Sequence, residues 1–149
     1  MSFGAYSDEE MVNILRTVKT FAVIGASAKP NRPSNGVMSY LISHGYEVHP
    51  VNPGHAGETI HGRAVYGRLA EVPAPVDVVD IFRNPKAALD VTRAALSLKD
   101  QLGIKVIWMQ LGVRNEEAAA EAEAAGLKVI MDRCPKIEIS RLGVSRQER

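Results

Sequence analysis

The apolar positions of this chain keep two rhythms in turn. Ser7 and Glu10 form a capping box, and Met11, Ile14, Leu15 and Val18 follow at helical spacing, which predicts a helix near the N-terminus. Phe21-Ala22-Val23-Ile24 is then a continuous apolar run ending at Gly25, the pattern of a strand buried on both faces. Residues 36–42 read as a helix ending at Gly45, and 46–51 as a second strand stopped by Asn52-Pro53-Gly54. Residues 55–75 carry Gly57, Gly62, Gly67, Pro73 and Pro75 and read as a long connection with a short helical turn near 68–71. Residues 76–82 are the third predicted strand. Asn84 and Pro85 then supply an N-cap and a first-turn proline for a helix running to about Gln101. A fourth strand at 105–109, an alanine-rich helix from Asn115 to Gly126 and a fifth strand at 127–131 complete the series. The acids Glu116 and Glu117 favour the dipole of that last helix.

Strand and helix alternate five times. The expected architecture is an α/β, Rossmann-like, three-layer domain around a mainly parallel five-stranded sheet with right-handed crossovers. Residues 1–149 suffice for one such domain, with an N-terminal helix inside 1–19 and a polar, frayed tail at 143–149. Sheets of this kind bind ligands beyond the carboxyl ends of their strands, near the switch in strand order. The residues after each strand are therefore the ones that carry chemistry.

Composition narrows the partners. Net charge is +1, so bulk attraction to nucleic acid or to a membrane surface is not expected, and a polyanion needs a local basic cluster. No run approaches the roughly 20 apolar residues of a membrane span. The N-terminus does not read as a signal peptide, and the single cysteine, Cys134, fits a reducing compartment, so the expected location is the cytoplasm. His44, His49, His55 and His61 lack zinc-site spacing, and no metal is expected. No nucleophile–base–acid arrangement stands out. Asp77 and Asp80, on or beside the third strand, read as structural rather than as an acid/base pair.

The loop after the first strand runs Gly25-Ala26-Ser27-Ala28-Lys29-Pro30-Asn31-Arg32-Pro33-Ser34-Asn35-Gly36. Its glycine permits close approach, the following helix offers free N–H donors, and Lys29 and Arg32 add charge with no acid nearby. A structural loop is the plain alternative. The dinucleotide fingerprint is not met, because its second and third glycines fall on Ser27 and Pro30. The ribose-reading acid expected after the second strand is also missing, since Val51-Asn52-Pro53 stands there, and turn chemistry alone accounts for Asn52 and Pro53. After the third strand, Phe82 is either an adenine-stacking ring or core, and Arg83 either meets a phosphate or is solvated. Gln110 and Gly112 follow the fourth strand. After the fifth, Cys134-Pro135 marks a helix start, where the thiol is either reactive or a plain buried small residue.

Five segments in this order resemble a known family. FAVIGASAKPNRPSNGV, GYEVHPVNP, VDVVDIFRNP, KVIWMQLGVRNEEA and AGLKVIMDRCPKIE look like the stand-alone CoA-binding domain proteins. These are related to the N-terminal domain of the succinyl-CoA synthetase alpha subunit. The resemblance runs from about Phe21 to about Leu142. It implies a coenzyme A or acyl-CoA ligand. Gly25, Ala26, Ser27, Lys29, Arg32 and Gly36 would face the phosphates, and Val51, Asn52 and Pro53 would lie along the nucleotide. Phe82 and Arg83 would flank the adenine, and Gln110 and Gly112 would approach the pantetheine arm. Cys134 and Pro135 match an Asn-Cys-Pro stretch of the synthetases, with Arg133 in place of the asparagine. The phosphorylated histidine of the synthetases lies in a second domain that has no counterpart in these segments. The resemblance therefore implies binding rather than ligation. The competing expectations are a CoA-site subunit for a separate synthetase chain, an NAD(P) oxidoreductase, and a structural or regulatory interaction protein whose ligand site has decayed; under any of them a homo-oligomer or a partner protein is an open expectation.

Overall fold

A computed structural model describes residues 6–144. Seven strands and six helices are assigned among them. Helix α1 (Asp8–Thr17) starts at Ser7, whose side chain accepts a hydrogen bond from the Glu10 N–H. It buries Met11, Ile14 and Leu15, as its spacing predicts. Strand β1 (Thr20–Ile24) is buried along its whole length. Then follow α2 (Pro33–Ser43), β2 (Glu47–Val51), β3 (Thr59–Ile60) and β4 (Arg63–Ala64). The chain continues through β5 (Val78–Ile81), α3 (Pro85–Ser97), α4 (Lys99–Leu102), β6 (Val106–Met109), α5 (Glu116–Ala124), β7 (Lys128–Ile130) and α6 (Pro135–Leu142).

The main sheet has the order β2-β1-β5-β6-β7, and all four of its pairings are parallel. One face carries Phe21, Val23, Val78 and Trp108 against α1, α2 and α6. The other carries Ala22, Ile24, Val79, Ile81 and Ile107 against α3, α4 and α5. Burial on both sides explains why β1 and β6 are almost wholly apolar rather than alternating, while the edge strand β2 keeps Glu47 and His49 at alternate positions. The alanines Ala118, Ala119 and Ala122 let α5 lie close to the sheet, and Arg93 of α3 reaches Glu117 and Glu121 across the surface.

Several expectations are corrected here. Helix α2 begins at Pro33, three residues before the predicted start, because proline is well suited to the first helical position. The helix expected to run from Asn84 to Gln101 is interrupted at Leu98, after which α4 makes a further short turn. The connection at 55–75 contains the β3–β4 hairpin, too short to leave an alternating pattern, as well as the expected turn, a 3-10 segment at Leu69–Glu71. Beyond this hairpin, Tyr66 bridges to Val51 and covers part of the β2 edge. At the other end, Gly143 caps α6 in the left-handed region and Val144 is buried, so the chain is still packed at these two positions of the expected tail. The remainder of that tail, 145–149, lies outside the described residues.

The two aspartates of the third predicted strand behave differently. Asp77 accepts hydrogen bonds from the N–H groups of Lys19 and Thr20, at 2.7 and 3.3 Å, and pairs with Lys105 at 3.5 Å. It ties the amino-terminal ends of β1 and β5 together, a structural role. Asp80 sits mid-strand and fully buried, with neither carboxyl oxygen engaged by a described partner. Burial pushes its pKa well above the ordinary carboxylate value.

Candidate functional site

From β1 the chain moves outward to β2, then returns to build β5, β6 and β7 on the other side. The reversal lies between β1 and β5. Helices leaving these two strands diverge onto opposite faces, which opens a crevice beyond the strand ends.

Gly25 forms the floor of that crevice. Its φ is +89°, and a Cβ placed on it would stand 2.6 Å from the Phe82 carbonyl oxygen. The Phe82 N–H donates to Ile24 O at 2.8 Å, so the two backbones remain paired past the ends of their strands. On the other side the N–H groups of Gly25 and Ala26 both point to Val51 O, at 3.0 and 3.3 Å. Glycine is needed at this point because three strand ends converge there.

The basic loop is folded onto the first turn of α2. The Ser27 N–H donates to Ser34 Oγ at 3.1 Å, and Asn35 Nδ2 donates back to Ser27 O at 3.0 Å. Asn52 clamps the same loop from β2, with Nδ2 donating to Ala26 O at 2.8 Å while Oδ1 accepts from the Gly54 N–H. Arg32, the N-cap residue of α2, makes no side-chain cap, and the first turn carries no acid. Pro33 has no N–H and the Asn35 N–H is spent on Arg32 O at 3.0 Å, so what α2 turns toward the loop is its positive dipole end, uncompensated by local anions.

Two clefts flank this floor, and both include Gly25 and Arg83. The first, of about 460 Å³, lies toward β2 and is walled by Val51, Asn52, Pro53, Arg68 and Leu69, with Val91 and Ala94 from α3. The second, of about 330 Å³, lies toward β6 and is walled by Arg32, Pro33, Phe82, Gln110, Leu111 and Val113. Neither wall contains an acidic residue. Arg68 is engaged by Glu71 at 3.6 Å, whereas Arg32 and Arg83 enter no ion pair among the described residues. The arrangement is an elongated, mostly apolar groove with free cations at its middle. It suits a long ligand that carries its negative charge between two less polar ends.

The structure thus brings together eight of the residues singled out from the sequence: Gly25, Arg32, Val51, Asn52, Pro53, Phe82, Arg83 and Gln110. Ala26 is buried behind the floor, while Ser27 and Gly36 belong to the loop and the first turn of α2 and line neither cleft. Lys29 is exposed on the outside of the loop and also lines neither cleft. Gly112 is exposed, and its N–H is spent on Asp132 Oδ1 at 2.7 Å. Cys134 and Pro135 are buried in the core where α6 begins, away from both cleft walls. The reason is local: Trp108 Nε1 donates to Arg133 O and draws the turn after β7 back against the sheet.

Sequence reasoning missed Arg68 and Leu69, which come from an irregular stretch without periodicity, and Val91 and Ala94, which face the crevice from a helix side. It also missed Leu111 and Val113. Leu111 carried a usable signal, being a large apolar residue next to a glycine just after a strand, and it is 52% exposed.

Four likenesses to known proteins follow from the sequence and the fold. A family model described as a CoA binding domain matches residues 19–140. The Bacillus subtilis protein YneT is 36% identical over 131 residues, which cover 88% of this chain and 93% of that protein. The alpha subunit of an ADP-forming acetate–CoA ligase from Pyrococcus furiosus is 38% identical over 93 residues, 60% of this chain and 19% of the subunit. Among solved structures, a hypothetical protein from Pyrococcus horikoshii matches with a TM-score of 0.84 at 39% identity over 92% of each chain. The family match covers β1 to α6 and so includes every wall of the crevice. By its sequence, its parallel sheet and the span of these matches, the chain belongs to the CoA-binding domain family.

Proposed function

We propose that this chain binds coenzyme A, free or acylated, along the groove at the β1–β5 seam. The single observation that carries the reading is the placement of Arg83 at the junction of two acid-free clefts, with Arg32 in the wall of the second, over a floor that only glycine fits. Coenzyme A has matching chemistry: a diphosphate between an adenosine and a long amide-bearing arm, plus a 3′-phosphate. The diphosphate would meet the arginines and the uncapped start of α2. An NAD-type ligand has less support. Asn52 stands where such folds carry the acid that reads the ribose, and both ends of its side chain are already engaged. Binding rather than catalysis is the proposed activity. The likeness to part of a ligase subunit favours one second reading, in which this chain supplies a CoA site to a separate chain. Gentle affinity purification from the source cell tests it, and recovery of this chain alone counts against it.

Isothermal titration with coenzyme A, 3′-dephospho-CoA and NAD is the direct test. Coenzyme A is expected to bind, dephospho-CoA more weakly, and NAD not at all. Each of Arg32→Ala and Arg83→Ala is expected to weaken CoA binding about tenfold, the scale of one charge-assisted hydrogen bond. Lys29→Ala, outside the clefts, is expected to change it about two- to threefold through long-range charge alone. Binding of NAD in preference to coenzyme A, or of neither, would overturn the proposal.

A further inference from the structure

A third cleft lies at the opposite end of the sheet, where the strands begin. It has a volume of about 300 Å³ and sits between the end of α1 and the residues leading into β6 and β7. Its floor is made of Ile14, Val18, Ile104, Val106 and Leu127, all buried. Three cations stand in its wall, Lys99, Lys105 and Lys128, and the wall contains no acid. Lys128 enters no ion pair among the described residues. Lys105 reaches Asp77 at 3.5 Å, but that carboxylate already accepts from two backbone N–H groups. Lys99 pairs at 3.6 Å with its neighbour Asp100, an exposed side chain, and exposed pairs of this kind hold weakly.

Lysines beside helix ends can serve the helix dipole alone, and α1, α4 and α5 all end here. The carbonyls that would need them are already engaged. Asn13 O and Ile14 O accept from Thr17 Oγ1, and Leu15 O accepts from the Tyr46 hydroxyl. Lys99 O and Ala122 O each accept from two backbone N–H groups. The ammonium groups therefore keep donors for an anion. A bare phosphate would use the charge and leave the apolar floor unfilled. A neutral hydrocarbon would fill the floor and leave the charge unused. We infer that this cleft is a second binding site, separate from the β1–β5 crevice, for a linear monocarboxylate whose head meets the lysines and whose tail lies on the floor. The volume is about twice that of a cavity that holds benzene, which suits a chain of about eight carbons.

The test titrates octanoate into the protein and follows its methyl resonances. Those of Ile14, Ile104, Val106 and Leu127 are expected to shift and to saturate with a dissociation constant of about 1 mM or tighter, while those of Val51 and Leu111 in the crevice stay in place. Octanol, which lacks the charge, and acetate, which lacks the tail, are each expected to bind at least about tenfold more weakly. Lys128→Gln is expected to lower octanoate affinity about five- to tenfold, with Lys99→Gln acting in the same direction. The ligand-free Lys128→Gln protein should melt within about 2 °C of the wild type, as an exposed substitution does, and bind coenzyme A as the wild type does. Shifts confined to the crevice, or no saturation by about 10 mM octanoate, would overturn the inference. So would octanol or acetate binding as tightly as octanoate. A lower melting temperature for Lys128→Gln with unchanged octanoate affinity also overturns it, because the lysine would then serve the helix ends alone. The two sites share no residue, so these results do not depend on the coenzyme A reading.

Discussion

Gly25→Ala is expected to unfold about 6–12 °C below the wild type, with coenzyme A binding lost or strongly weakened in whatever folds. Two costs combine. The residue sits at φ +89°, where an L side chain is strained by about 1–2 kcal/mol. The new Cβ would also stand 2.6 Å from Phe82 O and 3.2 Å from Phe82 C, which are backbone atoms that no rotamer change can move. Relieving that clash pulls on the 2.8 Å hydrogen bond from the Phe82 N–H to Ile24 O and separates β1 from β5 at the seam. Overpacking of this kind costs about 1–3 kcal/mol. A combined loss near 3 kcal/mol, at roughly 2–4 °C per kcal/mol for a chain of this size, gives the stated range. Gly36→Ala is the informative contrast. Gly36 lies inside α2, has no positive φ and has open space where its Cβ would go, so the change is expected to raise stability by about 0.5–1 kcal/mol. The glycine at the end of β1 and the glycine inside α2 should thus respond with opposite signs in a pair of thermal melts. Equal melting temperatures for wild type and Gly25→Ala would mean that the seam yields more easily than this geometry implies.

That contrast shows where the sequence was legible and where it was not. A glycine at the end of an apolar run, followed by a basic loop and a helix, marked the crevice floor because strand burial and glycine permissiveness are both local properties. The same locality found Asn52, Phe82, Arg83 and Gln110, each one or two positions past a strand end. The cleft walls were less legible. Arg68 and Leu69 reach the site through a β3–β4 hairpin whose strands are two residues long. Val91 and Ala94 reach it because α3 returns along the sheet, a tertiary fact that spacing does not carry. Lys29 and Cys134 lie outside both clefts for the complementary reason. Residue type and position in the chain suggested chemistry, but the fold of the loop turned Lys29 outward, and the docking of α6 buried Cys134. The sheet itself was legible almost entirely, since its inner strands leave apolar runs bounded by glycine and proline, and only the strand ends moved by a residue or two.

Asp80→Asn is expected to be more stable than the wild type at neutral pH, by a margin that grows with pH. Asp80 lies in the middle of β5 between Val23 and Trp108 on the neighbouring strands, fully buried, with no described partner for either oxygen. Burial alone raises its pKa, so the folded protein holds the proton over a range in which the unfolded chain has released it. The unfolded state then binds fewer protons than the folded one, and stability must fall as pH rises from about 4, the ordinary carboxylate value, toward the raised folded value. The slope approaches about 1.4 kcal/mol per pH unit inside that window. Asparagine has nearly the same shape and does not titrate. Near pH 4 the two proteins should therefore differ by less than about 1 kcal/mol, with the gap widening at each higher pH. Urea unfolding of both at unit steps from pH 4 to 8 measures this directly. Asp77, three positions earlier, is a built-in comparison, because its carboxylate is held by two backbone N–H groups and Lys105. A gap that stayed constant across the range would mean that Asp80 ionises equally in both states, and that water or a local opening of β5 reaches the strand just below the Phe82–Arg83 wall of the crevice.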